Sequence, residues 1–265
     1  AQAPVLLSFV IPTRNQAPFI RECIDSCLAQ NVADSEILVL DGASTDGTQD
    51  ILASYGDKIH WRSQKDRGQS DAINQGIRLA KGDLIAWINS DDYYTDARSI
   101  PRILETFAAD PRLDIVYGDG MRVDLHGKPL GRYHAAPYVD AATLVACPLT
   151  FVLQPCLVFR RQLFLDVGGL DEALHYTMDY DLWLEMFPRA RTVKKLDAVI
   201  ASARYHTDAK SVAAMGKQIR EAYAVKREHA KRLGLGKRDH ARMFASMGKL
   251  WAYWLAVRSG LKSAT

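Results

Sequence analysis

The sequence is short of several things, and each shortage removes a class of protein. Four cysteines in 265 residues are too few for a disulfide framework. Cys23, Cys27, Cys147 and Cys156 form no CxxC pair and no Cys/His cluster of zinc-ligand spacing. Cys23 and Cys27 stand four apart on one face of a helical pattern, as buried reduced thiols do. No apolar run approaches the ~20 residues that span a bilayer. A basic stretch followed by an apolar core, the mark of a secretion signal, is missing from the start of the sequence. The expectation is a cytoplasmic protein, free or peripheral at the inner face of the cytoplasmic membrane. Glycine-rich phosphate turns are missing as well. Without GxGxxG there is no dinucleotide-dehydrogenase turn, and without GxxxxGK[ST] no NTPase cradle. The net charge of +3 is too small to argue for nucleic acid.

What is there is ordinary globular composition, 48% apolar and 25% charged. The charge is unevenly spread. From Met215 onward there are twelve Lys and Arg against three Asp and Glu, so the body is net acidic and the tail basic. The first half alternates short β-rich runs (6–11, 36–40, 59–62, 84–88) with helical patterns (17–28, a short one near Ile51, 70–80). That repetition predicts an α/β fold, a mostly parallel sheet flanked by helices. The second half gives short strands at 115–117 and 121–124, read as lying near a sheet edge, and a longer one at 193–204. Helices follow at 140–146, 161–167 and 179–187, then at 214–233 and 238–259. The organisation expected is one domain over 1–210, divided near 118, and a C-terminal helical extension over 211–265.

Ligands of an open parallel sheet bind beyond the carboxyl ends of its strands. Those positions hold Pro12-Thr13-Arg14-Asn15, Asp41-Gly42-Ala43-Ser44, Gln64-Lys65-Asp66-Arg67-Gly68 and Asn89-Ser90-Asp91-Asp92. All four loops are polar and are expected to face one crevice. Adjacent carboxylates such as Asp91 and Asp92 raise each other's pKa unless a cation relieves them. Oxygen ligands without cysteine favour Mg²⁺ or Mn²⁺.

Four stretches then resemble the family 2 glycosyltransferases of the GT-A fold, the type that assembles bacterial polysaccharide and O-antigen. They are Phe9–Asn15, the VxDGxSxDGT-like run 39–48, the run from Asp66-Arg67-Gly68 to Asn89-Ser90-Asp91-Asp92, and Gly168-Gly169-Leu170-Asp171-Glu172 followed by Met178-Asp179-Tyr180-Asp181-Leu182-Trp183. The resemblance covers about residues 5 to 210. It implies a metal-dependent inverting transfer of sugar from a nucleotide-diphosphate sugar, by default a UDP-sugar, to a hydroxyl of a glycan or lipid-linked acceptor. By position it implies that Asp41 reads the nucleobase, with Thr13 and Asp66 nearby. Pro12, Arg14, Asn15, Arg67, Gly68, Asn74, Asn89, Ser90 and Asp92 complete the donor site. Asp91 and His206, the latter in the Arg204-Tyr205-His206 segment, are implied as metal-binding residues, and Asp179 as the base.

Two departures stand out. Asn89 replaces the first acid of the DxD pattern, and Met178 replaces the acid before the base, which leaves Asp181 as a rival for that role. Two other readings stay open. A sugar-phosphate nucleotidyltransferase normally carries a glycine-rich basic signature where this chain has Pro12-Thr13-Arg14-Asn15. A catalytically silent sugar-nucleotide or glycan-binding protein accommodates Asn89 and Met178. Finally, Met243, Phe244, Met247, Leu250, Trp251, Trp254 and Leu255 form a helix-spaced apolar stripe flanked by basic residues. It suits an amphipathic contact with an anionic membrane, or packing on its own domain or on the second subunit of a homodimer.

Overall fold

The computed structural model describes residues 7–147, 151–205 and 215–258. In chain order the first half runs β1 (Leu7–Thr13), α1 (Ile20–Leu28), β2 (Ser35–Asp41), α2 (Thr48–Ala53), β3 (His60–Ser63), α3 (Gln69–Leu79), β4 (Leu84–Trp87), β5 (Tyr93–Tyr94) and α4 (Ser99–Ala109). The second half runs β6 (Ile115–Val123), β7 (Pro129–Tyr133), α5 (Ala141–Ala146), β8 (Leu157–Arg160), α6 (Arg161–Asp166), α7 (Met178–Met186), β9 (Val193–Arg204), α8 (Met215–Arg232) and α9 (Lys237–Arg258).

Among the described residues, nine strands form one sheet in the order β3-β2-β1-β4-β8-β6-β9-β5, with β7 on β6. Strands β1 to β4 are parallel, and β1 is buried along its whole length. Strands covered on both faces read as unbroken apolar runs, which is why this half was visible in the sequence. Pro12 is tolerated in a central strand because β1 pairs with β4 only as far as Val10, so its missing N–H falls beyond that ladder. Gly76 lets α3 lie close on the sheet: a Cβ there would come within 2.6 Å of both Leu40 and Val10.

The second half is mixed. Strand β8 runs antiparallel to both β4 and β6, whereas β6 and β9 are parallel. The sequence reading of two short edge strands at 115–117 and 121–124 is corrected here: they are one strand, β6, in the sheet interior. Gly118-Asp119-Gly120 lies between the two expected stretches and belongs to the strand. These glycines admit close neighbours, since a Cβ at Gly118 would lie 2.6 Å from Ile200, and one at Gly120 2.6 Å from Leu153. Strands β5, β7 and β8 and helix α4 had not been anticipated.

The apolar stripe of α9 divides. Met243 and Met247 are buried, and Met247 packs with Ile219 and Ala222 of α8. Phe244 meets the Tyr223 ring yet stays 54% exposed, and Leu255 is 55% exposed. Its inner side therefore belongs to the chain's own packing. Among the described residues no helix is long and apolar enough to cross a membrane.

Candidate active site

A cleft of about 490 Å³ opens beyond the carboxyl ends of β1 and β4, in the size range of small-molecule sites. One wall comes from the end of β1 (Pro12, Thr13, Arg14) and from Asp66 and Gly68 ahead of α3. Asn89, Ser90, Asp91 and Asp92, which follow β4, form another part. His175, Tyr176 and Asp179 reach it from the start of α7, and Gln218 from α8. Most of the residues expected at a donor site therefore meet in one cavity, together with the carboxylate expected as base.

Four expected donor-site residues do not line it. Asp41 sits directly behind Thr13 in the strand register. Its carboxylate is engaged locally, accepting from the Ser44 N–H at 3.0 Å, the Ser44 hydroxyl and the Ser63 hydroxyl at 2.5 Å. Asn15, in the left-handed region at φ 52°, stitches two loops: its N–H donates to Ser44 Oγ at 2.7 Å, and its Oδ1 accepts from the Thr45 N–H at 2.9 Å. Arg67 is turned to solvent and bridges Asp71 at 2.9 Å and Glu172 at 2.8 Å. Asn74 is buried and uses both ends of its amide on Leu170, at 2.9 Å each, which fastens α3 to the turn before α7. His206 lies outside the described residues.

The Asp91–Asp92 pair is held by the end of β9. Asp92 is buried, and its Oδ1 accepts the Arg204 N–H at 3.0 Å. Burial, with the Asp91 charge beside it, pushes the Asp92 carboxyl well above its ordinary value. Arg204 donates through Nη1 to the Asp91 carbonyl at 2.5 Å and through Nε to the Leu125 carbonyl at 3.2 Å. Its guanidinium lies 4.9 Å from the Phe19 ring centre and 5.2 Å from that of Tyr93. Asn89 turns its Oδ1 to Gln69 Nε2 at 2.9 Å and to Trp87 Nε1 at 3.3 Å.

The donor set tests whether a cation fits. Among the described residues no three His, Cys, Asp or Glu side chains are grouped to cage one. Asn89 and Asp92 point their oxygens at protein donors, while Asp91 lines the cleft. A single protein carboxylate suits a Mg²⁺-like ion that takes its remaining ligands from phosphate and water.

The two candidate bases separate. Asp179, in the first turn of α7, lines the cleft and accepts the Tyr180 N–H at 2.8 Å. Asp181 is turned to α8, where its Oδ1 meets His229 Nε2 at 2.8 Å. Met178, which stands where the resemblance expects an acid, is buried and takes the Ser70 hydroxyl on its sulfur at 2.8 Å.

Buried side-chain polar atoms are nearly always paired in a native protein. Three in this cleft, Thr13 Oγ1, Gln16 Oε1 and Gln154 Oε1, have no partner among the described residues. Two are acceptors that call for donors, such as the N–H groups or hydroxyls of a ligand. Sequence reasoning had missed Gln16 and Gln154. It had also missed Glu221, whose carboxylate on α8 accepts from the backbone of His175, Tyr176 and Thr177.

The chain matches the glycosyl transferase family 2 profile over residues 8–168. It is 34% identical over 209 residues to an uncharacterized glycosyltransferase of Rickettsia typhi, covering 76% of this chain and 64% of that one. It is 25% identical over 235 residues to the chondroitin synthase of Escherichia coli, covering 88% and 34%. The chain thus spans less than two thirds of the length of these relatives. Among solved structures, TarS of S. aureus in complex with UDP-GlcNAc aligns with a TM-score of 0.66 at 16% identity, over 92% of this chain and 80% of that one. The mannosyltransferase PcManGT of Pyrobaculum calidifontis, in complex with GDP-Man and Mn²⁺, aligns with a TM-score of 0.63 at 17% identity, over 96% and 75%. These structural likenesses support the GT-A-type α/β fold expected from the sequence.

Proposed function

Because the chain belongs to glycosyl transferase family 2, we propose that it transfers a sugar from a nucleoside-diphosphate donor to a hydroxyl of a glycan or lipid-linked acceptor, with inversion, in cell-surface polysaccharide synthesis. The observation that carries this reading is the meeting of Asp91 and Asp179 in one cleft whose Thr13, Gln16 and Gln154 oxygens lack partners. A UDP-sugar is the default donor. TarS was solved with UDP-GlcNAc and PcManGT with GDP-Man, so both bases belong in the test.

The chain's own groups divide the work as follows. Thr13, Gln16 and Gln154 meet the hydroxyl and N–H groups of the donor. Asp91 is the residue that would hold a Mn²⁺ or Mg²⁺, and such an ion would supply Lewis-acid stabilisation of a leaving diphosphate. Arg204 fixes the backbone that carries Asp91. Asp179 accepts the proton of the acceptor hydroxyl as that oxygen attacks the anomeric carbon and the bond to the diphosphate breaks. One displacement inverts that carbon and needs no enzyme nucleophile. Asp181, paired with His229, keeps α7 on α8.

The test has two stages. In a thermal-shift panel of UDP, GDP and dTDP sugars with Mn²⁺, the matching donor at about 100 times its Kd adds about 2.7 kcal/mol, or roughly 5–10 °C. Asp179→Asn then lowers turnover by about 10²–10⁴-fold, the usual share of a general base, while donor Kd stays within about twofold. Asp91→Ala removes Mn²⁺-dependent donor binding. No stabilisation by any nucleotide sugar, or donor binding lost equally in Asp179→Asn, defeats the reading.

A further inference from the structure

Helix α8 lies beyond the stretch matched to the family, which ends at residue 168. It nevertheless reaches the cleft. Gln218 lines the cleft wall, and Glu221, three residues further and on the same helix face, lies under the segment that leads into α7. The Glu221 carboxylate collects four donors from three consecutive residues. Its oxygens accept the His175 N–H at 3.1 and 3.2 Å, and its Oε1 accepts the Tyr176 N–H at 2.7 Å, the Thr177 N–H at 2.8 Å and the Thr177 hydroxyl at 2.9 Å.

The bond to the Thr177 N–H answers a need of α7. A helix start leaves N–H groups without partners, and Thr177, in the N-cap position, makes no side-chain cap of its own. A carboxylate at that end also meets the favourable pole of the helix dipole. Burial opposes the charge on Glu221, but the N–H groups of His175, Tyr176 and Thr177 and the Thr177 hydroxyl outweigh it and hold the carboxyl below its ordinary value. The segment it grips contributes His175 and Tyr176 to the cleft and runs into Asp179 two residues later.

We infer that Glu221 is a positioning residue for the transfer reaction: from α8 it fixes the His175–Tyr176–Thr177 turn and so sets where the Asp179 carboxylate stands. The inference rests on the reading of Asp179 as base. Misplacing a reacting group by about 1 Å costs on the order of 10²-fold in rate, so the clamp matters beyond the hydrogen bonds it contains.

The test is Glu221→Ala beside Glu221→Gln in the full chain. Turnover is followed as UDP release from UDP-GlcNAc with Mn²⁺, and UDP affinity by calorimetry. Because Oε1 alone accepts from all three residues, a glutamine amide oxygen can keep the grip. The expected result is kcat down by about 10–100-fold in Glu221→Ala with UDP Kd and donor KM within about twofold, and recovery to within about threefold of wild type in Glu221→Gln. If the alanine variant does not fold, Thr177→Val, which deletes one of the four donors, is judged by the same split of kcat from Kd. Wild-type kcat in the variants overturns the inference and leaves the transferase reading intact. An equal loss of UDP affinity and rate overturns it too, since the role is then general stability. An unmutated chain that neither binds UDP nor releases it removes the default donor reading itself, and the inference with it.

Discussion

Arg204 is the residue whose loss the structure prices most directly. Its side chain is 4% exposed, yet it carries a permanent charge. Replacing it with methionine keeps much of the apolar stem between Phe19 and Tyr93 but removes every donor. Two carbonyls, of Asp91 and Leu125, lose a charged partner, at about 1.5–3 kcal/mol each. The two ring contacts add about 0.5–1 kcal/mol apiece. Glu22, half exposed, rehydrates, so its ion pair counts for little. Methionine returns part of this by avoiding the desolvation of a buried charge, which leaves a net cost of about 3–5 kcal/mol. At roughly 2–4 °C per kcal/mol, the melting temperature falls by about 6–20 °C. Arg204→Lys recovers less than half, because an ammonium is a point charge and cannot fork between two carbonyls. Urea unfolding at an unchanged m-value is the measurement. A destabilisation under about 1 kcal/mol for Arg204→Met refutes the view that this side chain anchors the acidic pair.

Other outcomes follow from the same geometry. Gly82→Ala places a Cβ 2.6 Å from the backbone nitrogen of Ser8. Backbone cannot step aside as a side chain can, so chemical denaturation should show a loss of about 1–3 kcal/mol. Asp119 is almost fully buried and receives Lys195 at 3.0 Å and Arg132 at 2.8 Å. Burial pushes its pKa up, but these partners outweigh that and hold it below its ordinary value. A folded value below the unfolded one, near 3.9, contributes stability that is present above that pH and lost as pH falls through the folded value. Asp119→Asn therefore costs about 3 kcal/mol at neutral pH, and its deficit against wild type shrinks below about pH 4, as acid titration of the melting temperature will show.

The sequence carried much of this molecule, unevenly. Strands β1, β2 and β4 announced themselves because a parallel sheet covered on both faces demands continuous apolar runs. Strand β8, four residues long, is too short for any period to show. Helix α4 had the signal, with Ile100, Ile103, Leu104 and Phe107 at helical spacing, and it was passed over. The glycines within β6, between the two stretches read as separate strands, mark tight packing and not a break. At the cleft, loops placed by strand ends were legible, since the rule that puts ligands there depends only on topology. Contacts that depend on tertiary closure were not. A glutamate on a basic helix looks the same whether it meets water or three amide hydrogens, so nothing in the run around Glu221 could distinguish them. In the same way Asn74 resembled a ligand contact until Leu170 was seen to use both ends of its amide.

The clamp at the foot of α7 separates two kinds of completeness. A chain cut after Arg204 keeps every strand of the sheet and the whole span shared with the family, and would pass as a finished domain by any strand count. It would lack Gln218 and Glu221, and with them the grip on the His175–Thr177 turn that we propose steadies the Asp179 carboxylate. On the proposed roles of Asp179 and Glu221, architecture closes earlier than competence does, and the boundary suggested by kinship falls short of the residues that complete the cleft.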